Sequence, residues 1–103
     1  MSMSGRTFCI LMADDDAEDC LLVREALRET GTGHELLTVS DGEELLDYLY
    51  GRGAYANGRK APRPDLILLD LKMPKKDGRD ALREIKADGR FQSVPIVVLT
   101  TST

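Results

Sequence analysis

Residues 66–70 read LILLD, four apolar residues followed directly by an aspartate. A run that does not alternate with polar residues suits a strand covered on both faces, as in a parallel sheet. Two further runs have the same character: Phe8–Ala13 (FCILMA), which leads into Asp14, Asp15 and Asp16, and Ile96–Leu99 (IVVL), which leads into Thr100, Thr101 and Ser102. His34–Val39 (HELLTV) is a weaker strand candidate. Helical spacing fills the intervals. Leu22, Val23, Ala26 and Leu27 share one face of the first helix, with Asp16 as its cap and Gly31 and Gly33 as stops. Leu45, Leu46 and Leu49 repeat the pattern in the second, where Asp41 and Glu44 make a capping-box-like start. Leu82 and Ile85 do so in the third, with Asp77 as N-cap and Gly89 at the end. Alternating strands and helices predict an α/β fold with a parallel sheet, helices on both faces and right-handed crossovers. Gly51–Pro64 is the one long connection, and loops of that length are usually functional or mobile.

The 103 residues fit one domain, with residues 1–7 expected to be a disordered tail. A formal net charge of -4 and a pI of about 4.9 argue against non-specific nucleic-acid binding, which needs cations facing phosphates. No apolar run approaches the roughly 20 residues that span a bilayer, and the start has no signal-peptide pattern. Cys9 and Cys20 have no CxxC partner, and His34 is the only histidine, so zinc is not expected. Two reduced, buried thiols in a cytoplasmic protein are the reading that fits.

In open parallel sheets, ligands collect beyond the carboxyl ends of the strands. Asp14, Asp15 and Asp16 follow one apolar run there and Asp70 another, while Thr100 and Thr101 bring hydroxyls. If the first and third strands are neighbours, Asp14, Asp15 and Asp70 converge and repel one another. Such a cluster takes up a proton or a cation. A few carboxylates with open positions suit Mg²⁺, which keeps waters and shares a phosphate. A carboxylate beside Mg²⁺ can attack a phosphoryl group and become an acyl phosphate, with a hydroxyl at Thr100, beside Thr101, to hydrogen-bond a phosphoryl oxygen.

These stretches, taken in order, resemble the receiver domains of two-component response regulators from about Phe8 to the chain end. ILMADDD resembles the family's apolar strand ending in an acidic pair, here Asp14 and Asp15. LILLDLKMPKKDG resembles its phosphorylation segment, with the acceptor at Asp70, a proline at Pro74 and a glycine at Gly78. VPIVVLTTS resembles its fourth strand, with Thr100 as the switch hydroxyl. The resemblance implies a flavodoxin-like sheet of order 2-1-3-4-5 and Mg²⁺ held by Asp15, Asp70 and the main-chain carbonyl of Lys72, with Asp14 assisting through water. It also implies a sensor histidine kinase as donor and slow self-dephosphorylation, so the domain is a regulatory phosphoacceptor and not an enzyme. The Gly51–Pro64 loop, MADDDAEDCLLVREAL and VLTTS are similar to the single-domain regulators paired with bacterial phytochromes. The family also carries a lysine, then proline, at the end of a fifth strand, and an aromatic switch residue on that strand. Here those, with the fourth helix, the fifth strand and the fifth helix, are expected to be missing after Thr103. That puts phosphorylation of this chain in question. It also leaves Ile96–Leu99 at an open apolar edge, which predicts a homodimer or exchange of elements between chains.

Three competing readings share parts of the pattern. A calcium loop would use Asp14, Asp16, Glu18 and Glu25, but Asp19 stands where the turn needs glycine. A haloacid-dehalogenase-type phosphotransferase would use Asp14 and Asp16, but Glu18 replaces its threonine. A pseudo-receiver that never takes phosphate is the third. Lys72, Lys75, Lys76, Arg79 and Arg83 form a basic stretch that reads as a solvated face, or else as a kinase-docking surface. Tyr48, Tyr50 and Tyr55 read as packing and loop residues.

Overall fold

The structure, a computed structural model, describes residues 7–56, 61–71, 73 and 78–99. Four parallel strands, β1 (Cys9–Ala13), β2 (Glu35–Val39), β3 (Leu66–Asp70) and β4 (Ile96–Leu99), form one sheet in the order β2-β1-β3-β4. Helices α1 (Ala17–Thr30), α2 (Gly42–Tyr50) and α3 (Gly78–Ala87) connect them. The expected tail at 1–7 and the Asp77 cap fall outside the described residues, apart from Thr7.

Side chains alternate across a strand, so each apolar run feeds two cores. Leu11, Ala13, Val39, Ile67 and Leu69 meet Leu45, Leu46 and Tyr48 of α2 and Ala81 and Ile85 of α3 on one face. Ile10, Met12 and Leu36 meet Cys20, Val23 and Leu27 of α1 on the other. The two layers are unequal: α1 has no fully buried residue.

That thin layer corrects the expected face of α1. Leu22 is 68% exposed and Ala26 is also exposed, so the packed stripe is Cys20, Val23 and Leu27. The spacing i, i+3, i+7 through Cys20 fits the sheet, whereas the Leu22–Val23 pair straddles its edge. Cys20 is accordingly half-buried, and only Cys9 is a buried thiol.

The caps of the first two helices follow their sequences. Asp16 accepts the Glu18 N–H at 2.9 Å, and Gly31, at φ 66°, ends α1. Asp41 accepts the Glu44 N–H at 2.7 Å. The return bond expected of Glu44 goes elsewhere, to the N–H of Ser40 at 2.9 Å. Gly89 does not close α3. The helix ends at Ala87, and Gly89 starts a 3-10 turn, Gly89–Phe91, capped by Asp88. The long connection also holds a 3-10 turn, Gly53–Tyr55.

Candidate functional site

The pairing register fixes what meets at the top of the sheet. Ala13 is level with Leu69 across β1 and β3, so Asp14, the first residue beyond β1, stands level with Asp70, the last residue of β3, which still pairs with Leu99 of β4. Asp14 and Asp70 are buried, each 4% exposed, while Asp15 is exposed. One carboxylate oxygen from each of Asp14, Asp15 and Asp70 lies within 4.8 Å of the others. At that spacing two unit charges repel by about 3 kcal/mol at an effective dielectric of 20.

Two hydrogen bonds hold Asp14 in place. The Asp14 N–H donates to the Val39 carbonyl at 3.0 Å, and one Asp14 oxygen accepts the Asp16 N–H at 2.9 Å. Burial pushes the Asp14 carboxyl up to about 6, and the nearby Asp70 adds to this against the lowering effect of the Asp16 N–H. Desolvation and a like charge both disfavour the ionised form. A small cation would relieve both. The donor set, oxygen only, with one exposed carboxylate and two buried ones, fits a hard divalent ion that keeps part of its water.

On the other side of Asp70 the chain is held by a close approach. A Cβ on Gly78 would lie 2.5 Å from the Asp70 carbonyl oxygen and 2.6 Å from the Leu71 Cα. The Gly78 N–H donates to the Leu71 carbonyl at 3.2 Å. Gly78 thus lets the first turn of α3 press on the segment carrying Asp70, a role the sequence showed only as a glycine at fixed distance from the aspartate.

Of the other expected site residues, Lys72, Thr100 and Thr101 lie outside the described residues. The calcium-loop decoy dissolves. Asp16 and Glu18 sit at the start of α1, where Asp16 accepts the Glu18 N–H as its cap, so no calcium loop forms. Sequence reading passed over Ser40 and Glu44 as neighbours of the site. Both line a cleft of about 420 Å³ with Asp14, Asp15 and Arg24.

Comparison with known proteins agrees with this geometry. The family profile described as "Response regulator receiver domain" matches residues 10–103. Response regulator Rcp1 of Synechocystis sp. is 46% identical over 93 residues, which cover 90% of this chain and 61% of that protein. The crystal structure of the phosphorylated cyanobacterial phytochrome response regulator RcpA superposes with a TM-score of 0.84 at 48% identity, covering 93% of this chain and 66% of that one. The Mn²⁺-bound form of Rcp1 gives a TM-score of 0.84 at 45% identity, covering 92% and 66%. No helix among the described residues is long and apolar enough to cross a membrane. With its strand order, its acidic cluster and a family match over most of its length, the chain belongs to the response regulator receiver domains, a family of regulatory domains.

Proposed function

We propose that Asp70 accepts a phosphoryl group from a sensor histidine kinase at a Mg²⁺ site built from Asp14, Asp15 and Asp70. The observation that carries this reading is the approach of three carboxylate oxygens to within 4.8 Å. An Asp70 oxygen attacks the phosphorus of a phosphohistidine. The new P–O bond forms as the P–N bond breaks, and the departing imidazole nitrogen keeps the electron pair and takes a proton from water. Asp70 becomes an acyl phosphate. Asp14 and Asp15 would hold the cation together with Asp70. A bound Mg²⁺ would neutralise charge on the transferring oxygens. By the family resemblance, the main-chain carbonyl of Lys72 would complete the metal ligands, and the Thr100 hydroxyl, next to Thr101, would donate to a phosphoryl oxygen.

Asp70 is consumed by each event and restored by hydrolysis, so the domain acts as a switch and not as a catalyst of other substrates. With both cysteines free, the location proposed for the reaction is the cytoplasm. The donor's docking face includes Leu21 and Leu22, 55% and 68% exposed on α1, with Leu21 lining the cleft that holds Asp14 and Asp15. Membrane and nucleic acid are not partners of this segment.

A second copy is a partner on separate grounds. Val97 and Val98 of β4 point to opposite faces of the sheet and are 46% and 37% exposed. Among the described residues β4 is an outer strand, apolar throughout. We infer that, where no further strand covers this edge, two copies pair along it.

The main reading is tested by acetyl phosphate and Mg²⁺, followed by intact mass. One phosphoryl group is expected on the chain and none on Asp70→Asn. A gain that persists in Asp70→Asn, or no gain together with no divalent-ion binding, overturns it.

A further inference from the structure

Glu44 sits where three separate parts of the chain meet. One carboxylate oxygen accepts the Ser40 N–H at 2.9 Å and the Ser40 hydroxyl at 3.1 Å. The other accepts the Tyr55 hydroxyl at 2.8 Å. Ser40 is the first residue beyond β2, and its neighbour Val39 holds the Asp14 N–H through its carbonyl at 3.0 Å. Tyr55 belongs to the 3-10 turn of the 51–64 connection, and its ring meets the Tyr48 ring edge-on at 5.0 Å. Tyr48 holds the far end of the same connection, donating to the Pro62 carbonyl at 2.7 Å. The connection is therefore strapped to α2 at two points, and one strap runs on toward the acidic cluster. Asp14, Asp15, Ser40 and Glu44 also open onto one cleft, so the relay forms a wall of the space beside the cluster.

A carboxylate with three donors is held in one orientation, because each bond to a charged acceptor is stronger than its neutral counterpart. Removing the Tyr55 donor leaves one oxygen to water, and Glu44 regains rotamers that do not reach Ser40. The turn leaving β2 then loses its hold at Ser40 and keeps only the strand pairing and the contacts of Asp41. We propose that Glu44 is a positioning residue for the acidic cluster and that the Tyr55 contact sets it, so that displacing the 51–64 connection from α2 loosens the Asp14 end of the site. As regulation of the metal site, this rests on the function proposed above; the relay itself does not.

The test uses the ¹⁵N-labelled chain and three variants. Tyr55→Phe keeps the ring contact with Tyr48 and removes the hydroxyl. Expected are shifted and faster-exchanging Ser40 and Asp14 amides, and Mn²⁺ binding weakened about fivefold, at the low end of couplings between sites. Glu44→Ala, which removes all three acceptor contacts, is expected to do the same. Tyr48→Phe releases Pro62 and the Cys9 thiol, keeps the ring contact with Tyr55 and leaves Glu44 its three donors, and is expected to leave the Ser40 and Asp14 amides and the Mn²⁺ affinity as in the parent. Changes in Tyr55→Phe that stop at Glu44, or equal changes in Tyr48→Phe, would overturn the relay. Should the parent bind no Mn²⁺, the metal reading fails, and the amide response in the metal-free chain still decides the relay.

Discussion

Gly78 and Asp70 are in backbone contact: no side chain fits on the glycine without meeting the aspartate's own carbonyl oxygen at 2.5 Å. Because the clash is with backbone, rotamer changes cannot relieve it. The helix start or the Asp70 segment has to move. Gly78→Ala is expected to cost about 1–3 kcal/mol, as overpacking does, and to weaken Mn²⁺ binding as the Asp70 oxygen leaves its partners. Urea titration and Mn²⁺ titration measure the two effects. Parental values in both would remove the positioning role given to this glycine.

Asp14 supplies a pH dependence whose sign is fixed by the direction of its shift. Its carboxyl ordinarily titrates at 3.8 and is pushed to about 6 in the fold. The folded chain therefore binds more protons than the unfolded one between those values, and stability falls as pH rises through that window. The stabilisation is fully present below 3.8 and gone above about 6. Asp14→Asn keeps the acceptor for the Asp16 N–H and removes the charge. At pH 7.5 it is expected to raise stability by about 1–3 kcal/mol, with no gain at pH 3.5. A variant no more stable than the parent at the higher pH would contradict the crowding described for this cluster.

The same proton competes with a cation. Divalent-ion affinity is expected to rise with pH up to about 6 and then level off, since the ligand must be deprotonated. Calorimetric Mn²⁺ titrations between pH 5 and pH 8 would follow it, and a flat profile would place the ion elsewhere.

Exposed apolar residues beside a charged site mark a contact face more often than scattered ones do. Leu22→Glu is expected to slow transfer from the donor kinase about tenfold, the size of a moderate interface hot spot, while phosphorylation by acetyl phosphate is unchanged. Equal loss with both donors would mean that the substitution damages the fold and not the docking face.

Pairing along β4 is expected to show as a concentration-dependent dimer in sedimentation velocity. Val97→Lys with Val98→Lys places a charge on each face of the outer strand, a common protection of exposed edges, and is expected to return the monomer. A parent that sediments as a sharp monomer at high concentration would rule out this association.

The apolar runs at 8–13, 66–69 and 96–99 announced their strands because nothing in them alternates. The acidic convergence was legible for the same reason: strand ends in a parallel sheet lie at one edge, and the register did the rest. The face of α1 was not legible. Leu22 looks like a core residue by hydropathy, and only the thinness of the layer over that side of the sheet shows why Cys20 takes the inner position. Gly89 misled because glycine ends helices only where a left-handed residue is needed, and here Asp88 caps a separate short turn that begins at the glycine. The Ser40–Glu44–Tyr55 relay joins residues spread over three segments, and no local pattern announces a contact of that kind.

Asp14 and Asp15 lead into α1, on the lightly packed side of the sheet, whereas Asp70 leads toward α3 on the densely packed side. An ion gripped by all three is thus a rivet through the sheet. It would fasten the helix that, among the described residues, has no buried side chain to the more densely packed side, so that α1 would melt together with the rest of the described fold.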